Sequence, residues 1–339
     1  MLSNIELKTQ IKKKWFIPIK YRPLTTMLFF ILAIGCLICL IFGVTIVEGK
    51  AFTNFSQNAI QTYKVVIQLL MSGMALGTSS YIIQRLSKNR FADVSIMGIG
   101  AINLLVFCCI GLYVNFNEPS ETEKLSAITQ WIFIPVSLGL TLIYYLSAKS
   151  RGVFNFKKLL MFGVILSFFL IAVGQSIKSF LDYAATPYIE AYIHGGAIIK
   201  SNVTIYVSLG FIVVCLIFLA FSSYNLQLIT INQQIAKQLG VKVNLHIALA
   251  MVCIGIMVGA SYALSGDFVY VGLLAGNVAM RKRNNNMGFG IFNSGFFGAI
   301  STLLTYFIAV NMLSIDPESF GTLVPLIIGP YFIYQVIKG

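Results

Sequence analysis

The chain has 339 residues, of which 58% are hydrophobic and only 10% charged, with a mean hydropathy of +0.85, whereas a soluble domain carries about 25% charged residues. That balance excludes a water-soluble globular fold and places the chain in lipid. The formal net charge of +13 invites a nucleic-acid reading, but the placement of the cations between apolar runs reads instead as membrane topology.

Residues 1–23 form a basic arm carrying Lys8, Lys12, Lys13 and Lys14 ahead of the first apolar run, 24–47. That run exceeds the roughly 7 to 15 apolar residues of a signal peptide, so it is read as a crossing. A helix needs about 20 apolar residues to span the hydrocarbon, and seven further runs come close: 65–83, 94–114, 128–146, 159–177, 203–221, 247–264 and 289–310. Two shorter ones follow, 268–280 and 323–337. If all ten cross and the N-terminus is inside, 19 of the 24 Lys and Arg fall on the cytoplasmic side and nine of the 11 acids outside. Cytoplasmic loops collect Lys and Arg. The fold class expected is therefore an all-α polytopic membrane protein of about ten transmembrane helices, both termini cytoplasmic, with 24–339 a single transmembrane domain. It is a multi-pass protein of the cell membrane.

Between the second and third runs, Arg85, Lys88, Arg90 and Asp93 read as a tight cytoplasmic turn. Gly73 and Gly77 on one side and Gly98 and Ala101 on the other put small residues where helix backbones approach. All six cysteines lie within apolar runs, and the Cys36–Cys39 spacing has no second pair or histidine near it, so they read as small hydrophobes. No Walker A lysine motif, H-E-x-x-H or G-x-S-x-G occurs, which argues against an enzyme. No cofactor or metal is expected. The long runs lack Asp, Glu, Lys and Arg, and Lys64, Lys178 and Asp267 sit at their ends. An ion-coupled carrier would hold ionisable groups within its helices, so a conduit driven by an external motor is favoured.

The longest polar stretch between crossings, 222–246, contains NQQIAKQLGV. Ile235 and Leu239 stand one helical turn apart and Gly240 is placed to end a short helix. The outer segment 186–200 carries aromatics, His194 and the pair Gly195-Gly196.

These stretches occur in the order of a known pattern. Gly73, Leu76, Ser80 and Gln84, then NRFAD and Gly98, then AKQLGV, then SGDFVYVGLLAGNVAMR, then FGTLVPLIIGPYF resemble the permease subunits of type II ABC importers, the FecCD-type family that takes up iron siderophores, haem and cobalamin. The departures are Arg90 for the proline of the family's N-P-L-A turn, Gly276-Asn277 for its Pro-His, and Ser319 for the proline that usually precedes Gly321.

The resemblance implies a type II ABC importer permease fold in which Gly73, Gln84, Asn89, Ala92, Asp93, Gly98, Gly272, Gly321 and Pro330 are structural motif positions. It implies that an ABC ATPase dimer seats on Gln234, Ile235, Ala236, Lys237, Leu239 and Gly240, within a cytoplasmic coupling segment 223–246. Tyr192, His194, Gly195 and Gly196 would line the outer mouth, and an extracellular or periplasmic substrate-binding protein would dock at Lys64. A second permease subunit would complete the pore, a heterodimer being favoured over a homodimer because of the missing prolines. The implied cargo is a ferric siderophore, with haem and then cobalamin next. The rival reading is a secondary transporter or channel without an ATPase.

Overall fold

The structure, a computed structural model, describes residues 34–35, 44–47, 50–53, 59–114, 119–150, 153–181, 185, 189, 195–197, 200–281, 286–317 and 320–338. Strands β1 (Val44–Val47) and β2 (Lys50–Thr53) form an antiparallel hairpin. Helices α1 (Ala59–Ser87), α2 (Ile99–Gly111) and α3 (Pro119–Ala148) follow, then a small hairpin of β3 (Lys149–Ser150) and β4 (Val153–Phe154). Next come α4 (Phe156–Lys178), α5 (Asn202–Ile231), the short α6 (Gln233–Gln238), α7 (Val243–Ser265) and α8 (Val271–Arg281). Helix α9 (Met287–Tyr306) continues as a π-helix, Phe307–Met312, and a 3-10 turn at Phe320–Thr322 leads into α10 (Leu323–Lys338).

Helix starts follow side-chain chemistry. Asn155 Oδ1 accepts from the backbone N–H groups of Lys157 and Lys158 at 3.1 and 3.2 Å, and Ser201 Oγ from that of Thr204 at 3.2 Å. Each cap satisfies donors that the first turn leaves open.

Among the described residues, six helices are long and apolar enough to cross a bilayer, within Tyr63–Ser87, Ala127–Ala148, Phe156–Lys178, Asn202–Ile231, Val243–Ser265 and Met287–Val310. They sort into two layers. The spans of α1, α7 and α9 are 78%, 78% and 72% buried, while those of α3, α4 and α5 are 39%, 22% and 33% buried. The outer helices expose Phe168, Phe169, Val214 and Phe221, as a lipid-facing layer would.

In lipid, apolar burial does not drive helices together, so close backbone contact must. Helix α1 meets α9 this way. A side chain at Gly73 would strike the Gly298 carbonyl, one at Gly77 the Ser294 carbonyl, and one at Gly298 the Gly73 carbonyl. Thr302 Oγ1 donates to the Leu69 carbonyl at 2.9 Å across the same seam. Gly255 and Gly259 of α7 make the equivalent approach to α3, against Leu138 and Ile134.

Three expectations change. The run 24–47 lies mostly outside the described residues, and its last four, Val44–Val47, are strand rather than helix. The run 94–114 becomes the shorter α2, because Gly98 takes a left-handed φ of 77° just before Ile99. The segment 223–246 is not one polar connection, since α5 runs on to Ile231 and α7 begins at Val243. The all-α class holds, with two short hairpins beside the helices.

Gly298→Ala or Gly73→Ala should destabilise the bundle by about 1–3 kcal/mol, the usual cost of overpacking. Gly210→Ala, with nothing within 4 Å of the added carbon, should be neutral or stabilising by roughly 0.5–1 kcal/mol. Thermal unfolding in one detergent separates them; equal melting temperatures for all three variants would contradict the packing account.

Candidate functional site

Three regions carry the chemistry. At the end of the bundle where α1 stops, α6 stands between α5 and α7. Asn232 Oδ1 accepts from the backbone N–H groups of Gln234 and Ile235 at 2.8 and 3.4 Å. The other end closes with Gly240 N–H donating to the Lys237 carbonyl and Val241 N–H to the Ala236 carbonyl, both at 3.0 Å. That pairing requires a left-handed residue, and Gly240 supplies it with φ 82°. Ala236 is fully buried and anchors the helix, while Gln234, Ile235 and Lys237 face outward, Ile235 being 49% exposed. Leu239 is half-buried. Beside α6, Lys88 Nζ donates to the Ile231 carbonyl at 3.2 Å and Gln233 Nε2 to the Phe154 carbonyl at 3.1 Å. The first ties the end of α5 to the α1–α2 connection, and the second ties α6 to the β3–β4 hairpin.

The second region is the loop at Gly195-Gly196. Gly195 has φ 77°, and a side chain there would meet the Phe268 ring. Its carbonyl accepts from Gly321 N–H at 3.0 Å, Gly196 N–H donates to the Ser265 carbonyl at 2.9 Å, and Ala197 N–H to the Pro317 carbonyl at 2.8 Å. Behind it Phe268 packs tilted on Phe320 and Tyr306 meets Phe320 edge-on, with centroids 5.2 and 5.1 Å apart. The loop therefore rests on the α7–α8 connection and on the start of α10. Tyr192 and His194 lie outside the described residues.

The third region was not visible in the sequence. Helices α2 and α8 have 13 and 11 residues, about 20 and 16 Å at 1.5 Å per residue, against about 30 Å of hydrocarbon. Their connections, 88–98 and 266–270, meet each other. Asp93 is fully buried and accepts from the Ser80 hydroxyl of α1. Ser95 Oγ donates to Asp267 Oδ1 at 3.3 Å. Gly272 leaves room for Ser80 and Asp93, and Gly100 for the Asp267 carboxylate. Asp93 is thus not a solvated turn charge, and Asp267 does not sit apart at a helix end.

The motif positions meet around this cluster. Gly276 faces the Gln84 amide, and Asn277 Nδ2 donates to the carbonyls of Arg90 and Leu273, each at 2.9 Å. Asn277 so braces the turn at Arg90. Asn89 Oδ1 accepts from Phe91 N–H at 3.0 Å, and Ala92 is buried beneath. Gly98 faces Ser167 of α4. Gly321 is buried beside Gly195, whereas Pro330 is exposed on α10 and Lys64 is half-buried in the first turns of α1. The structure brings Gly272, Ser80 and Asp93 together and leaves Lys64, Pro330 and α6 apart from them. The one signal for the carboxylate pair was the shortness of the run 268–280.

The profile of the FecCD transport family matches residues 25–338. The iron(3+)-hydroxamate import system permease protein FhuG of Bacillus subtilis is 26% identical over 282 residues, covering 81% of each chain. The hemin transport system permease protein HmuU of Yersinia pestis is 23% identical, covering 80% of each. Among solved structures, a metal-chelate type ABC transporter in an inward-facing conformation superposes with a TM-score of 0.73 at 20% identity, over 93% of this chain and 99% of that one. With the profile matching nearly end to end, the chain belongs to the FecCD transport family.

Proposed function

We propose that the chain is the membrane-spanning permease subunit of an ATP-driven importer of iron chelates, with a ferric siderophore as cargo ahead of haem and cobalamin. The observation that carries this reading is the family match along residues 25–338, supported by relatives named as hydroxamate and hemin permeases. The six long spans, joined by the first run and by α2, α8 and α10, make ten crossings with both termini and the 1–23 arm cytoplasmic. Helix α6 then lies on the cytoplasmic face, where an ATPase dimer would seat on Gln234, Ile235, Lys237 and Leu239, held in place by Ala236 and Gly240. The Gly195-Gly196 loop lies towards the outer mouth, together with Tyr192 and His194. A second permease, different in sequence, completes the pathway and supplies most of the ionic docking for a binding protein. An ion-coupled carrier is the reading that the buried Asp93–Asp267 pair favours.

Topology is checked by labelling in a cysteine-free background. A cysteine at Arg283 should react only from the cytoplasm, and cysteines at Ser120 and Ser319 only from outside; external reaction at Arg283 contradicts ten crossings. Coupling is checked at Ile235, whose exposure lets Ile235→Asp leave the fold intact. Losing its burial on the ATPase is worth about 2 kcal/mol, roughly thirtyfold in affinity, so co-purification and substrate-stimulated ATP hydrolysis should fall together. Unchanged ATPase binding would exclude α6 as the contact. Lys64→Glu should slow association of the binding protein at low salt and converge with wild type as salt rises, an effect of about 0.2–1 kcal/mol. Equal on-rates at both salts would leave Lys64 as an interfacial anchor.

A further inference from the structure

At the end of the bundle where α1 stops, a cavity of about 330 Å3 opens between the last turn of α1, the β3–β4 hairpin, the start of α4, the end of α5 and the start of α6. Its floor is apolar, made by the buried side chains of Leu86, Phe154 and Ile229. Its rim is rich in hydrogen-bond donors. Lys88 Nζ gives one hydrogen to the Ile231 carbonyl at 3.2 Å, and an ammonium has two more. Asn155 and Asn232 also line the cavity, and each commits its Oδ1 to backbone N–H groups, at 3.1 and 3.2 Å in one case and 2.8 and 3.4 Å in the other. The first turns beneath them are thereby satisfied, and what each asparagine has left is its amide NH2. The Lys157 ammonium, also on the rim, has no partner among the described residues. No Asp or Glu lines the cavity. Two cations and two amide donors around one space, with no carboxylate to neutralise them, fit a ligand that is anionic and accepts hydrogen bonds.

The surface next to the cavity indicates what carries that anion. Lys157 lies in the first turn of α4, and Met161, Ile165 and Phe168 follow it at offsets of four, eight and eleven residues, which is one face of a helix. All three are exposed. A cationic pocket therefore sits directly above an exposed apolar stripe that runs into the membrane-spanning part of α4. A phosphodiester headgroup with its acyl chains matches both halves, whereas an acidic protein segment matches only the first. Basic pockets between helices at the cytoplasmic surface hold anionic headgroups in this way. We propose that the cavity binds a phosphate group, that of an anionic phospholipid, with Lys88, Lys157, Asn155 and Asn232 as its donors and an acyl chain lying along Met161, Ile165 and Phe168. Asn232 caps α6 and Lys88 holds the end of α5 beside it, so the bound lipid braces the segment on which the ATPase is proposed to seat. That consequence rests on the function proposed above; the site itself does not.

The test uses the full chain in nanodiscs of phosphatidylcholine, with and without phosphatidylglycerol. Phosphatidylglycerol should raise the melting temperature of the wild type, as a ligand of the folded state does, and native mass spectrometry should find one such lipid retained per chain. Lys88→Gln combined with Lys157→Gln should weaken that retention roughly thirtyfold, the effect of removing two cations near an anionic headgroup. Lys157→Gln alone, at an exposed position, should melt as the wild type does in phosphatidylcholine yet lose part of the shift, and Lys157→Arg should keep it. Inorganic phosphate added to phosphatidylcholine nanodiscs separates the two sources of the anion. A shift as large as that of phosphatidylglycerol, lost in the double variant, would put free phosphate at the site and overturn the lipid assignment. No phosphatidylglycerol retained by the wild type, or a shift that the double variant keeps in full, would overturn the proposal altogether.

Discussion

A broken helix is tolerated at membrane depth only where other protein covers its exposed backbone, and α1 supplies that cover. Its 29 residues run past the beginnings of both short helices, α2 and α8. Ser80 takes the Asp93 side of the α1–α2 connection, Gly272 brings α8 against Leu76 and Ser80, and Gln84 reaches the Leu273 carbonyl at 3.5 Å. Without α1 at backbone distance, residues 88–98 and 266–270 would leave polar groups facing hydrocarbon. The glycines at 73 and 77 serve the same end, since they set α1 against α9 and fix the distance at which its serines work.

The departures from the family pattern make sense in this frame. Arg90 removes a proline that would have pre-set the turn, and Asn277, at the second position of the missing Pro-His pair, holds the Arg90 carbonyl instead. Gly276, at the first, admits the Gln84 amide. Two of the departures, Arg90 and Asn277, therefore touch. Asp267 lies within the same neighbourhood, which is why a carboxylate there can meet Asp93.

Length and apolarity made the six long spans legible, because a bilayer imposes a length that a sequence must meet. Gly240 after AKQL marked the end of α6, since only a left-handed residue closes that cap. The carboxylate pair was not legible. Its two acids are separated by most of the chain, and each borders an apolar run, so charge placement alone put them on opposite sides of the membrane. The start of α2 was missed for a local reason: 94–98 is apolar enough to extend the run, and only the left-handed backbone at Gly98 breaks it. Residues 44–47 are likewise apolar enough for a span, and their pairing with 50–53 is a local hairpin that hydropathy does not register.

The proposed permease is moved by an ATPase seated on α6, while buried Asp93 and Asp267 are the ionisable groups that a gradient-driven carrier would use. One measurement separates these directly: uptake of a labelled ferric siderophore into proteoliposomes containing the chain, its partner permease, the ATPase and the binding protein. An ATP-driven importer accumulates the chelate only with ATP and the ATPase, and collapsing the proton gradient leaves uptake intact. Accumulation driven by a proton gradient without the ATPase would contradict the account.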